Sequence, residues 1–177
     1  INEFTDTNYR ISDVISDIAV NKRVMHNDSN INIRGVLRES DLVTISVGFN
    51  DLIKIFSINN IGTVLENKTL LENEILYIAN NYDDALTTIR KYAKSDIIVI
   101  GFYNPYQYLN NYKSDIDYYI KKLNSLILEI CKKHNVKFID LYNAFNNKLE
   151  YLPNPNSIYP TELGYREIFN IVKNSIN

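Results

Sequence analysis

Three short apolar runs constrain what this chain can fold into: Leu42-Val43-Thr44-Ile45-Ser46-Val47, Ile97-Ile98-Val99-Ile100 and Val136-Lys137-Phe138-Ile139-Asp140-Leu141. The first two are β-branched and nearly continuous, as parallel strands covered on both faces should be. Gly48 and Gly101 end them. Helical patterns lie between and around the runs. Ile11, Val14, Ile15 and Ile18 make one stripe. Leu70, Leu71, Ile75, Ile78 and Ala79 make another, continuing through Leu86 and Ile89. Ile116, Ile120, Leu123, Ile127 and Ile130 make a third. Ser114 and Asp115 are placed to cap that third helix, and Lys132, Lys133 and His134 suit its C-terminus. A last helix starts near Thr161 and runs through Ile168, Ile171 and Val172. Alternation at this spacing requires crossover connections, hence a mostly parallel sheet with helices on both faces. Three strands are few for this class. Either a leading strand precedes Ile1, or the domain is a small three-stranded one.

Composition removes several function classes. Lys and Arg number 19 against 21 Asp and Glu, a net charge of −2, so no basic field draws nucleic acid. One Cys and two His exclude a disulfide framework and leave little for a metal centre; no metal and no cofactor is expected. No apolar run approaches the length of a membrane span. Asn and Ile each supply roughly one residue in seven, a bias that stays inside periodic patterns rather than forming a low-complexity tract.

Chemistry is expected where strands end, because open parallel sheets bind ligands at their carboxyl edges. Gly48-Phe49-Asn50-Asp51 follows the first strand. Gly48 permits a sharp turn, Asn50 can aim an amide N–H at developing negative charge, and Asp51 can cap the following turn. An ordinary turn has the same composition. Gly101-Phe102-Tyr103-Asn104-Pro105-Tyr106 ends the second strand, and Tyr103, Asn104 and Tyr106 are candidates for a cleft wall, with Gly48, Asp51 and Pro160 as further cleft candidates. Pro153 to Pro160 is a loop, with Pro160 and Thr161 leading into the last helix. Gly164 in its first turn is costly unless another group needs the space.

Taken in order, strand–Gly48-x-Asn50-Asp51, strand–Gly101-Phe102-Tyr103-Asn104-Pro105-Tyr106 and Pro160-x-x-x-Gly164-Tyr165 resemble the SGNH, or GDSL-type, hydrolases, in particular the small bacterial lipase/acylhydrolase-like group. The likeness runs from about Ile11 to the end. It implies a three-layer α/β/α sandwich of flavodoxin-like form, with residues 1–177 as a single domain. It also implies a Ser nucleophile after the first strand, an oxyanion hole completed by Asn50, and an Asp-x-x-His-Pro block in the late loop. Against that pattern, Tyr159 stands at the His position and Asn156 at the Asp position. The Gly-Asp-Ser block would lie ahead of this chain.

Those departures bear on activity. A Ser hydroxyl is a weak nucleophile without a general base. A phenol, with an ordinary pKa of about 10, is protonated at neutral pH and does not replace imidazole. Catalysis left to an oxyanion hole and binding alone is roughly 10³-fold over water. Thr44 and Ser46 are expected to be buried within their strand. His26 reads as a loop residue, His134 as a helix-end residue, Cys131 as core, and Asp140 as capping or ligand-facing. Tyr103, Tyr106, Tyr108, Tyr112, Tyr118 and Tyr119 invite a polar-aromatic surface for a glycan or protein. Three functional readings follow: a descendant of an ester hydrolase that binds or scaffolds, an active acylhydrolase whose Ser lies upstream, or a fragment. The partners expected are a small ester, acyl or glycan ligand and a protein covering an exposed sheet edge.

Overall fold

The computed structural model describes residues 2–26, 29–56, 59–152 and 157–176. The three apolar runs form a parallel sheet of β3 (Leu42–Ile45), β4 (Asp96–Ile100) and β5 (Lys137–Ile139), in that spatial order. Val43 pairs with Ile97 and Val99 with Phe138. The β3–β4 crossover carries α3 (Phe49–Ile55), α4 (Ile61–Glu66) and α5 (Lys68–Arg90). The β4–β5 crossover carries α6 (Lys113–Lys133). Two apolar clusters form because alternate strand residues face opposite ways. Val43, Ile45, Ile97 and Val99 face α5, α6 and the N-terminal α1 (Ile11–Ala19). Leu42, Ile98, Ile100 and Ile139 face α7 (Tyr142–Phe145) and α8 (Glu162–Ile176). Helix, sheet and helix make the three layers that the alternation requires.

Some local structure departs from the sequence expectation. Arg23–His26 (β1) and Ser29–Asn32 (β2) form an antiparallel hairpin, so His26 ends a strand rather than sitting in a loop. The single helix α2 (Ile33–Glu39) follows, with Asn32 Oδ1 accepting the Gly35 N–H at 2.8 Å. α6 starts two residues earlier than a Ser114 cap would place it, after Tyr112, although Lys132, Lys133 and His134 do end it. Thr161 caps α8 as expected, its Oγ1 accepting the Gly164 N–H at 3.2 Å. The Cys131 thiol is fully buried, and burial pushes its pKa up to about 12.

Gly101 and Gly164 are close-approach glycines. A Cβ on Gly101 would stand 2.5 Å from Phe138 Cζ and 3.0 Å from the Ile139 carbonyl, and one on Gly164 would stand 2.8 Å from Pro160 Cβ and 3.0 Å from the Tyr151 carbonyl. Gly164 thus lets the start of α8 rest on the late loop, which brings that loop to the sheet's carboxyl edge.

Candidate active site

A cavity of about 290 Å³ opens at the carboxyl ends of the three strands. Its walls are Ser46, Val47, Phe49 and Asn50 after β3, Ile100–Tyr103 at the end of β4, and Leu141 after β5. The late loop closes it with Ile158, Tyr159 and Pro160, and α8 adds Tyr165 and Ile168. Loops that end three different strands therefore meet at one place, as the topology requires.

Gly48 sets the first wall. Its φ of +98° lies in the left-handed region and starts α3 directly from the strand. The preceding Val47 carbonyl accepts the hydroxyl of fully buried Tyr82. Burial raises the Tyr82 pKa, so that phenol keeps its proton and donates. The turn aims Asn50 at the cavity. One Asn50 amide hydrogen is donated to the Tyr9 carbonyl at 2.9 Å, which fixes the amide plane.

Asp51 does not face the cavity. It is buried, and its carboxylate accepts the Ile11 N–H at 3.1 Å, the first N–H of α1. The expectation that it caps its own turn and lines the cleft is therefore corrected: it caps a helix 40 residues earlier in the chain. Burial raises its pKa above the ordinary carboxylate value, while the Ile11 N–H and Arg10 pull the other way. The folded chain thus binds this proton more tightly than the unfolded chain does. Stability contributed by protonation is present below the unfolded pKa and is lost as pH rises through the raised folded value. Asp51→Asn is expected to be more stable than the parent at pH 7, with the difference closing below about pH 4. Urea unfolding at the two pH values checks this, and a gap that widens toward acid would refute it.

Tyr103 forms the second wall. It is buried, stacks on Phe145 with ring centroids 4.5 Å apart, and donates its hydroxyl to the Ile158 carbonyl at 2.8 Å. Burial raises its pKa. It therefore ties the β4 loop to the late loop. Asn104 is a correction to the cleft set. It lies behind that wall, 2% exposed, donating to Asp117 Oδ1 at 2.8 Å and accepting the Tyr106 N–H at 2.8 Å. A buried lock of this kind holds the loop's shape. Tyr106 and Tyr119 are also buried, so the six tyrosines do not form one polar-aromatic surface.

In the late loop Tyr159 is 65% exposed, and its N–H is donated to Ser157 Oγ at 3.2 Å. Pro160 lines the cavity beside it. Asn156 lies outside the described residues. Neither histidine lines the cavity. His134 ends α6, before β5 begins, and its Nε2 lies 2.5 Å from Asp83 Oδ1. Lys133 and His134 together hold the Asp83 carboxyl below the usual carboxylate range. Among the described residues no group of three or more His, Cys, Asp or Glu is arranged to hold a metal.

Three residues that wall or brace this site were not singled out for it by sequence. Ser46 is exposed and lines the cavity, contrary to its expected burial; among the described residues β3 is an edge strand. Thr44, on the same strand, is exposed too. Tyr165 lines the cavity and is half-exposed. Asn124 of α6 accepts the Phe102 N–H at 2.9 Å and donates to the Phe102 carbonyl at 2.8 Å and to Asp140 Oδ1 at 3.0 Å. Asp140 also accepts the Tyr142 N–H at 2.9 Å, a capping contact, and does not line this cavity.

A parallel sheet flanked by helices, with a cavity at its carboxyl edge walled by a Gly-x-Asn turn and a late loop, is a three-layer α/β architecture. The family model of the GDSL-like lipase/acylhydrolase family matches residues 13–167. The chain belongs to that family. Its fold is shared with an acetylxylan esterase from Geobacillus stearothermophilus (TM-score 0.64, 14% identity, 96% of this chain and 68% of that one). It is shared too with an extracellular lipase from Streptomyces rimosus (TM-score 0.66, 17% identity, 96% and 77%). An α/β hydrolase enzyme from a Lake Arreo metagenome is similar as well (TM-score 0.62, 18% identity, 93% and 66%). Among curated proteins no sequence matches.

Proposed function

We propose that this chain is an esterase-like domain that holds a small ester, acyl or acetylated-sugar ligand and does not turn it over. The observation that carries the reading is the chemistry of the walls. No imidazole, carboxylate, thiol or ammonium group is among the described lining residues. Among the described lining residues Ser46 is the one with a hydroxyl on an aliphatic carbon, and none of the others can take its proton. The related acetylxylan esterase has catalytic mutants at a serine, an aspartate and a histidine, the last two three residues apart. Asn156 and Tyr159 have that spacing here, and an amide with a phenol does not supply the base. The volume suits a small ligand, at the low end of the roughly 300–1,000 Å³ typical of ligand pockets. Phe49, Tyr103 and Tyr165 supply faces for an acyl group or sugar ring to pack on.

The second reading is an active acylhydrolase that receives its serine from residues ahead of Ile1. Asn50 favours it, because its second amide hydrogen has no partner among the described residues and remains for an oxyanion. One experiment separates the two. A form extended ahead of Ile1 and the 177-residue chain are both assayed for 4-nitrophenyl acetate hydrolysis and for labelling by a fluorophosphonate, with acetylated xylo-oligosaccharide binding to the 177-residue chain followed by NMR. The expected result is hydrolysis at the buffer rate, no label, and shifts of the Tyr103, Tyr159 and Tyr165 resonances. Turnover well above buffer that stops with labelling of a serine would overturn the binding reading.

A further inference from the structure

A second cavity, of about 300 Å³, opens between α6 and the end of β5. Lys121, Asn124 and Leu128 wall it from one face of α6, at helical spacing. Phe138 of β5, Asp140 just after it and Tyr142 of α7 make the opposite wall. It is distinct from the first cavity: Leu141 lines that one, whereas its neighbours Asp140 and Tyr142 line this one.

Two opposite charges stand in this wall without meeting. Among the described residues neither Lys121 nor Asp140 takes part in an ion pair, with each other or with any other group. Their neighbours on α6 are already paired, Lys122 with Glu72 and Lys132 with Glu129. Both charges are nevertheless held in place. Lys121 Nζ lies 4.6 Å from the centre of the Tyr142 ring. Asp140 Oδ1 accepts the Asn124 amide at 3.0 Å and the Tyr142 N–H at 2.9 Å, while Oδ2 has no donor among the described residues. Asn124, 4% exposed, anchors that carboxylate from the interior. A charge held in this way loses less freedom when a ligand arrives.

We propose that this cavity binds a free α-amino acid with an apolar side chain, its carboxylate on Lys121 and its ammonium on Asp140 Oδ2. A neutral ligand would displace water from both charges and supply no counter-charge, which costs free energy. A singly charged ligand would leave one of the two uncompensated. A zwitterion answers both with charge-assisted hydrogen bonds. Leu128 and Phe138, partly buried, offer the apolar surface on which the ligand's side chain packs. The volume, at the low end of the roughly 300–1,000 Å³ of ligand pockets, suits a single amino acid.

Amide NMR titration of the 177-residue chain with L-leucine tests this. Shifts are expected at the Asn124 side-chain amide, Ser125 and Asn143, all at this cavity, with a dissociation constant of about 1 mM. N-acetyl-leucine keeps only the carboxylate and leucinamide only the ammonium, so each should bind at least about tenfold more weakly. Lys121→Gln and Asp140→Asn should each weaken leucine by a similar factor, and they assign the contacts. In Lys121→Gln, leucine and leucinamide should bind alike; in Asp140→Asn, leucine and N-acetyl-leucine should. The two derivatives query the same charges in the unaltered chain if either variant fails to fold. No shift up to about 20 mM leucine overturns the proposal. So do equal affinities for leucine and both derivatives, and shifts confined to Tyr103 and Tyr165, which put leucine in the first cavity. Xylose binding as tightly as leucine overturns it too and assigns the cavity to neutral sugars.

Discussion

Asn124→Ala is expected to cost about 3–5 kcal/mol of unfolding free energy, a large part of what a domain of this size has. The side chain stands in for a strand neighbour. It accepts from the Phe102 N–H and donates to the Phe102 carbonyl, just beyond the last paired residue of β4. Phe102 is 2% exposed, so water does not replace either bond. Truncation leaves a buried donor and a buried acceptor without partners, each at about 1–3 kcal/mol. Asp140 loses one of its donors as well. Because Phe102 walls the cavity, ligand binding should weaken along with stability. Urea unfolding measures the first effect, and a loss under about 1 kcal/mol would show that Phe102 finds other partners. Asn124→Asp is the informative companion. It keeps an acceptor for the Phe102 N–H, loses the donor to the carbonyl, and sets a second carboxylate against Asp140.

Asn124 also shows why sequence reading stops where it does. It sits beside Leu123 in an otherwise regular apolar stripe, in a chain where roughly one residue in seven is Asn. Nothing in its spacing separates a buried amide lock from a solvated one. The strands and long helices were legible because their signal is periodic and summed over many residues. The β1–β2 hairpin was not, since four-residue strands of mixed polarity carry almost no alternation. The site divides in the same way. The turn at Gly48 and the late loop were readable from Gly, Asn and Pro, whose backbone preferences are local. The difference between Asp51 and Asn50 was not. Which of two adjacent polar side chains faces a cavity depends on α1, whose Ile11 N–H draws Asp51 inward. Ser46 was misjudged for a related reason. Burial of a strand residue depends on what lies against it, and among the described residues no strand pairs with the second edge of β3.

Gly48→Val should be the most damaging single change at the cavity, at about 3–5 kcal/mol. Two independent costs add. A β-branched residue at φ +98° is strained by roughly 1–3 kcal/mol. Its Cβ would also lie 3.0 Å from the Tyr82 hydroxyl and 3.1 Å from Phe102 Cζ. Neither neighbour has room to give. Tyr82 is fully buried and tied to the Val47 carbonyl, and Phe102 is held by Asn124. Gly35→Ala supplies the contrast. Gly35 lies in a helix, at ordinary negative φ, and its added Cβ would meet only the Asn32 side chain at 3.2 Å. Its effect should stay within about 1 kcal/mol of zero, because the helix preference of Ala offsets the contact. Thermal unfolding of the two variants side by side tests the account. Equal losses would mean that glycine content, rather than the left-handed turn that aims Asn50, is what the fold requires.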